Sequence, residues 1–260
     1  MQTYQIVQKA RALDRISPKE IIQALCHSFI ECHGDRAMAD DRAIVSGVGM
    51  TEFGPLTVIG IQKGRDLRSN MRRNFGSAGP AGYRKAIRMM EQAQKFNRPI
   101  LTLINTAGAF CAAESEEKGI GSLIAQSLFT MSQLSVPSIA IILGEGGSGG
   151  AIALANTDQV WIMENAVYSI LSPEGFASIL WKDAKLAPQA AQVMKLTAPE
   201  LMDLGVVDKI IAESDGHNKA LNRDLVLQSL VDQIHLGFKD LMEQDLEIRQ
   251  RNKYQRFRSF

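Results

Sequence analysis

Gly144-Glu145-Gly146-Gly147-Ser148-Gly149-Gly150-Ala151 follows the apolar run Pro137 to Leu143 and precedes the small-residue run Ala151 to Ala155. The pattern reads as a strand that ends at the glycines and a helix that begins there. Five glycines in seven positions remove the side chains that keep a ligand off the backbone, so several N–H groups can converge at a helix N-terminus. That arrangement is the raw material of an oxyanion hole, in which one well-placed donor stabilises a developing carbonyl charge by about 3 to 4 kcal/mol. A tight strand-to-helix connection that binds nothing is the plainer reading of the same residues.

Working outward, the loop Asn105 to Glu117 stands at the end of the strand Ile100 to Ile104, the usual position for ligand contacts in α/β folds. Its backbone can supply a second donor. The same grammar of helix, proline, apolar strand and loop recurs twice: Pro80 opens a helix to about Phe96 before Pro99, and a helix through Ile120 to Met131 precedes Pro137. Upstream, Ile44 to Met50 and Leu56 to Ile61 read as a hairpin, and Pro18 to Ile30 as a helix. Downstream, Gln159 to Met163, Ala166 to Leu171 and Val206 to Ile211 read as short strands, with helices around Glu174 to Trp181, Pro188 to Leu196 and Leu221 to Leu246. The fold class is therefore α/β. The tail carries Arg249, Arg251, Lys253, Arg256 and Arg258 among Tyr254, Phe257 and Phe260, a composition that suits a frayed terminus or a docking segment.

Composition narrows the function. The 260 residues, 45% hydrophobic, can fill one large domain. Lys plus Arg number 29 against 28 Asp plus Glu, which gives no global electrostatic case for nucleic acid or an anionic membrane. No segment approaches about 18 uninterrupted apolar residues, and no secretory leader stands at the N-terminus. Cys26, Cys32 and Cys111 make a poor disulfide framework, so the expected compartment is the cytoplasm.

Other candidate sites are weaker. Gly146 to Gly150 satisfies the G-x-S-x-G elbow of a serine hydrolase, yet neither His217 nor His235 is placed as a base by its sequence context. Cys26, His27, Cys32 and His33 lack the short cysteine knuckle of a structural zinc site, and no metal is expected. Lys63 and Arg65, then Arg68, Arg72 and Arg73, have a loop placement that suits a phosphate or partner surface, or else a solvated cluster.

Gly34-Asp35-Arg36, Gln62-Lys63-Gly64-Arg65, Arg72-Arg73-Asn74-Phe75-Gly76, Gly82-Tyr83-Arg84-Lys85-Ala86, Gly144 to Gly150, Tyr168 to Gly175 and Ile179-Leu180-Trp181-Lys182 stand in an order that resembles the alpha subunit of bacterial acetyl-CoA carboxylase carboxyltransferase. The resemblance covers most of the chain. It implies a crotonase-like spiral of β-β-α units with flanking helices: one carboxyltransferase domain over 1–260, with 1–35 as an N-terminal helical extension and 219–260 as a C-terminal helical segment. It also implies transfer of a carboxyl group from carboxybiotin, borne by the biotin carboxyl carrier protein, to acetyl-CoA, giving malonyl-CoA for fatty acid synthesis. The implied partners are a zinc-bearing beta subunit in an alpha2-beta2 heterotetramer, the carrier protein and biotin carboxylase.

By the same resemblance, backbone N–H groups of Gly146 and Gly147, joined by one of Gly108, Ala109 and Phe110, hold the ureido oxygen of biotin. Ser148, Gly149 and Gly150 lie on the biotin side, and Lys63, Arg65, Arg72 and Arg73 are candidate anion or partner contacts. The chain departs from the family's Asp-Thr-Pro-Gly-Ala-Tyr-Pro-Gly at Asn105-Thr106-Ala107-Gly108-Ala109-Phe110-Cys111-Ala112, and from Gly-Gly-Ala-His at Ser214 to His217. An acyl-CoA hydratase or isomerase of the same fold, and a noncatalytic assembly subunit, are the competing expectations.

Overall fold

Residues 3–215 and 219–259 are described by the computed structural model, and their strands join one sheet. These are β1 (Ser28–Glu31), β2 (Ile44–Thr51), β3 (Gly54–Ile61), β4 (Ile100–Thr106), β5 (Ser138–Gly147), β6 (Gln159–Met163), β7 (Val167–Ser169) and β8 (Lys209–Ile211). The order is β1-β2-β3-β4-β5-β6-β8, with β7 beside the far end of β5. The β1-β2-β3 meander is antiparallel and the remaining pairings are parallel. β4 is buried along its whole length, as a strand covered on both faces must be.

β5 changes neighbours halfway. Ile139 to Ile142 pair with β6, whereas Glu145 to Gly147 pair with β7. The register against β4 shifts at the same place, between Ile104 and Thr106. Asn105 bridges the irregularity: its Oδ1 accepts from the Glu145 N–H at 3.2 Å. An aspartate would offer the same acceptor, so the Asn105 departure keeps the stitch.

Helices α1 (Thr3–Ala10), α2 (Pro18–Leu25), α3 (Leu67–Arg72), α4 (Pro80–Lys95), α5 (Ala113–Glu117), α6 (Ile120–Gln133) and α7 (Ser148–Ala155) surround the first part of the sheet. After them come α8 (Pro173–Trp181), α9 (Ala187–Val193), α10 (Ala198–Asp203), α11 (Arg223–Glu243) and α12 (Leu246–Arg258). α2 starts in a capping box, Ser17 with Glu20, which satisfies two of the N–H groups a helix start leaves open. α4 starts with Pro80 after Gly79, whose N–H donates to Asp41 Oδ2 at 2.7 Å. Tyr83, Ala86, Met89, Met90 and Ala93 then bury one face of α4.

Several expected boundaries move. The helix expected over Pro18 to Ile30 stops at Leu25, because Ser28 to Glu31 pair with β2; the 1–35 extension is thus not helical throughout. The loop after β4 contains the short α5, and the last strand is only Lys209–Ile211. Arg68 and Arg72 lie on α3 and not in a loop. His217 falls outside the described residues.

The basic tail is the largest correction. It forms α12, and Arg249 and Lys253 are each only 6% exposed. Lys253 Nζ donates to the Met131 carbonyl at 2.6 Å, at the end of α6, and Arg249 donates to the carbonyls of Leu241 and Ser135. Burial lowers the Lys253 pKa from its ordinary 10.5 to about 8, with Asp158 pulling the other way. Between those values the unfolded chain binds more protons than the folded one, so the Lys253 contribution to stability should rise with pH across that window. Urea denaturation of wild type and Lys253→Met through the same range should give curves that converge in slope below pH 8 and diverge above it. Parallel curves throughout would show that Lys253 keeps its solution pKa.

Candidate active site

Two chain reversals meet at the C-terminal ends of β4 and β5. Gly147 ends the strand at φ −97°, and Ser148 starts α7 at φ +51°, a left-handed angle unusual for a residue with a Cβ. A Cβ on Gly147 would lie 2.0 Å from the Ala107 carbonyl oxygen. One on Gly150 would lie 2.5 Å from the Ala109 nitrogen and 3.0 Å from the Tyr83 hydroxyl. The glycines therefore serve backbone-to-backbone contact between the two loops. Tyr83, fully buried on α4, donates from its hydroxyl to the Gly150 carbonyl at 3.3 Å, and burial pushes its pKa upward.

The donors differ from the expected set. Gly108 N–H donates to Thr106 Oγ1 at 3.0 Å and Phe110 N–H to the Ala78 carbonyl at 2.9 Å, so neither is open to a ligand. Ala109, between them, keeps its N–H without an acceptor among the described residues. On the other side, Gly146 pairs with both Thr106 and Tyr168, and Gly147 with Ser169. The helix begins only at Ser148 and its N-cap glycine has no capping side chain, so the N–H groups without intrahelical acceptors start at Ser148 and Gly149. Which N–H groups are open depends on acceptors such as Thr106 and Ala78, which the glycine pattern does not reveal.

Glu145 was not among the expected site residues, although it sits inside the glycine run. Its Oε1 accepts from Arg11 Nε at 2.8 Å, and its Oε2 pairs with Lys63. Arg11 also holds Glu174 in a fork at 2.8 and 3.0 Å. Tyr4 donates to Glu174 at 2.9 Å, and chiefly Arg11 lowers the Glu174 pKa to about 2. Arg11, Lys63 and Glu145 border a cleft of about 380 Å³ that also touches Ala107, Gly146 and Gly147. Its two cations are already paired, Arg11 and Lys63 both with Glu145, and Arg65, which does not line the cleft, is paired with Glu20. Arg73 donates weakly to Ser69 O at 3.4 Å, while Arg72 borders a separate cleft with Phe110. The four expected cations do not converge on one anion.

A second, apolar cleft of about 480 Å³ lies on the other side of the glycine run, beside Ser148 and Gly149. Neither histidine nor carboxylate lines it. His235 faces Glu52 and Phe53, His33 faces Asp40, and His27 lines neither cleft beside the glycine run, so no described histidine serves Ser148 as a base. Among the described residues, no group of three or more His, Cys, Asp or Glu is arranged to hold a metal ion. No described helix is long and apolar enough to cross a membrane.

The family model described as acetyl co-enzyme A carboxylase carboxyltransferase-like matches residues 1–260. The chain is 49% identical over 255 residues to the acetyl-coenzyme A carboxylase carboxyl transferase subunit alpha of Streptococcus sanguinis (strain SK36), with 98% of each chain covered. It is 48% identical over 260 residues to that of Streptococcus pneumoniae (strain Hungary19A-6), with 100% of each covered. Its fold is similar to that of the transcarboxylase 12S hexamer core, with TM-score 0.72 at 16% identity, covering 92% of this chain and 44% of that one. A Pseudomonas malonate decarboxylase hetero-tetramer in complex with coenzyme A gives TM-score 0.69 at 15% identity, with 92% of both chains covered. The protein is a crotonase-like enzyme of the carboxyltransferase type. More narrowly, the chain belongs to the acetyl-CoA carboxylase carboxyltransferase alpha-subunit family.

The glycine contacts yield a mutational contrast. Gly147→Ala and Gly147→Val place atoms into the Ala107 carbonyl and should force the loops apart, lowering stability by about 1–3 kcal/mol and suppressing carboxyl transfer. Gly149→Ala should be milder, because its Cβ would meet only Ile124, at 3.4 Å. Transfer rates and thermal melts of the three variants check this. Equal losses at 147 and 149 would remove the backbone contact from the account.

Proposed function

We propose that this chain is the alpha half of an acetyl-CoA carboxyltransferase, working with a beta subunit in an alpha2-beta2 assembly alongside the biotin carboxyl carrier protein and biotin carboxylase. The observation that carries this reading is the fastening of the Ala109 loop to the start of α7, which brings two sources of backbone N–H donors together without a titrating side chain between them. The fit to biotin rests on the same donors: open N–H groups suit the single carbonyl oxygen of a ureido ring, and the apolar cleft beside them suits its hydrocarbon face. Carboxybiotin, borne on the carrier, would supply the carboxyl group that acetyl-CoA receives.

The chain's own part is electrostatic. Ala109 on one side, with Ser148 and Gly149 at the start of α7 on the other, would hold the ureido oxygen as negative charge grows on it. Donors that strengthen as charge develops favour the transition state over the ground state. Ser148 and Gly150 shape the approach, and no protein base is required of them. In this reading the metal and most of the acetyl-CoA site belong to the beta subunit, and the dispersal of Lys63, Arg65, Arg72 and Arg73 supports placing the acetyl-CoA site there.

A hydratase or isomerase acting alone needs acid and base side chains beside the thioester. Glu145 is the carboxylate within the glycine run, and its two oxygens are engaged by Arg11 and Lys63, which makes it a structural anion and not a free base. Malonyl-CoA formation from acetyl-CoA and carboxybiotin should therefore appear when the chain is co-purified with a beta subunit and be nearly absent from the chain alone. Enoyl-CoA hydration should be absent in both. Ser148→Ala should retain appreciable transfer, since it keeps the main-chain donor. Robust transfer by the isolated chain would refute the division of labour; loss of all transfer in an intact Ser148→Ala complex would make that hydroxyl catalytic.

A further inference from the structure

The terminal helix α12 is anchored by a stripe of cations at helical spacing. Arg249, Lys253 and Arg256 are four and three residues apart and therefore share one face. Each donates to main-chain carbonyls of other segments: Arg249 to Leu241 and Ser135, Lys253 to Met131, Arg256 to Thr157 and Asp158. Arg256 is also paired with Asp208. These bonds hold the helix across the chain ends of α6, α7 and the start of β6.

The next residue along carries the consequence. Arg256 stacks over the ring of Phe257 at 4.7 Å, and Phe257 forms a wall of the apolar cleft that holds Ser148 and Gly149. The cleft's other walls include Ile152, Tyr168, Ile170 and Val206, and no cation lines it. An anionic polyphosphate has nothing to pair with there. A neutral ring with one carbonyl oxygen finds apolar walls and, at the rim, the N–H groups at the start of α7 that have no intrahelical acceptor.

We propose that Phe257 is a specificity-determining residue for the carboxyl donor, packing against the bicyclic ring of biotin, and that Arg256 is the positioning residue that aims it. The proposal rests on the functional reading above. It makes the C-terminal helix part of the binding site, although its sequence is the most polar of the chain's terminal segments.

The test uses the full chain in complex with its beta subunit and runs the reaction backwards, from malonyl-CoA to free biocytin as the probe. Phe257→Ala should raise the KM for biocytin about tenfold through loss of the apolar wall, with the KM for malonyl-CoA and the kcat little changed. Phe257→Leu should restore most of the affinity, and Arg256→Lys, which loses the planar stack, should fall between. Thermal melts of each complex exclude gross misfolding. An unchanged biocytin KM in Phe257→Ala, or an equal rise for malonyl-CoA, overturns the proposal while the functional reading stands. A wild-type complex that transfers no carboxyl group at all sinks both together.

Discussion

The closest approach at the site is between main-chain atoms. Gly147 lies against the Ala107 carbonyl and Gly150 against the Ala109 nitrogen, at distances where no Cβ fits. This steric constraint settles much of what surrounds it. It fixes β5 against the loop after β4 and determines where α7 starts. It also makes neighbours of Ala109, whose N–H has no acceptor among the described residues, and the first residues of α7, whose N–H groups have no intrahelical acceptor. The glycines thus act less by flexibility than by allowing two backbones to occupy space that side chains normally hold.

Polar contacts then keep the contact in register. Asn105 bridges the point where β5 passes from β6 to β7. Tyr83 secures Gly150 from α4. Glu145 ties the glycine run to Arg11 and Lys63, and Arg11 continues to Glu174 on α8. The carboxylate of Glu145 is largely buried, with its side chain 12% exposed. Removing one cation would leave that charge short of a partner in a place water reaches poorly, a more costly change than loss of an exposed pair.

The apolar runs made β2, β3, β4 and the first part of β5 legible, because strands covered on both faces are nearly continuous in hydrophobic residues. The prolines at 80, 99 and 137 marked starts that the structure keeps within a residue or so. The glycine run likewise located the meeting of strand and helix. What could not be read was occupancy. Whether Gly108 and Phe110 have open N–H groups depends on Thr106 and Ala78, and whether Lys63 is free depends on a glutamate 82 residues away. The tail misled for the same reason. Arginine and lysine pattern as solvated groups, and the acceptors that bury Arg249 and Lys253 are main-chain carbonyls contributed from elsewhere. The Val206 to Ile211 run failed differently: only its last three residues reach β6, so β propensity overstated the strand.

The Arg11 fork has a consequence for the order in which the chain can be completed. Arg11 precedes its two partners, Glu145 and Glu174, by 134 and 163 residues. α12, which crosses the start of β6, follows both. Arg11 therefore has no charged partner until those residues are made, and contacts of such long separation form slowly. A nascent chain that stops short of residue 174 would carry the glycine run but only the Glu145 half of the clasp that holds it, so the site becomes competent only after residue 174 has been added.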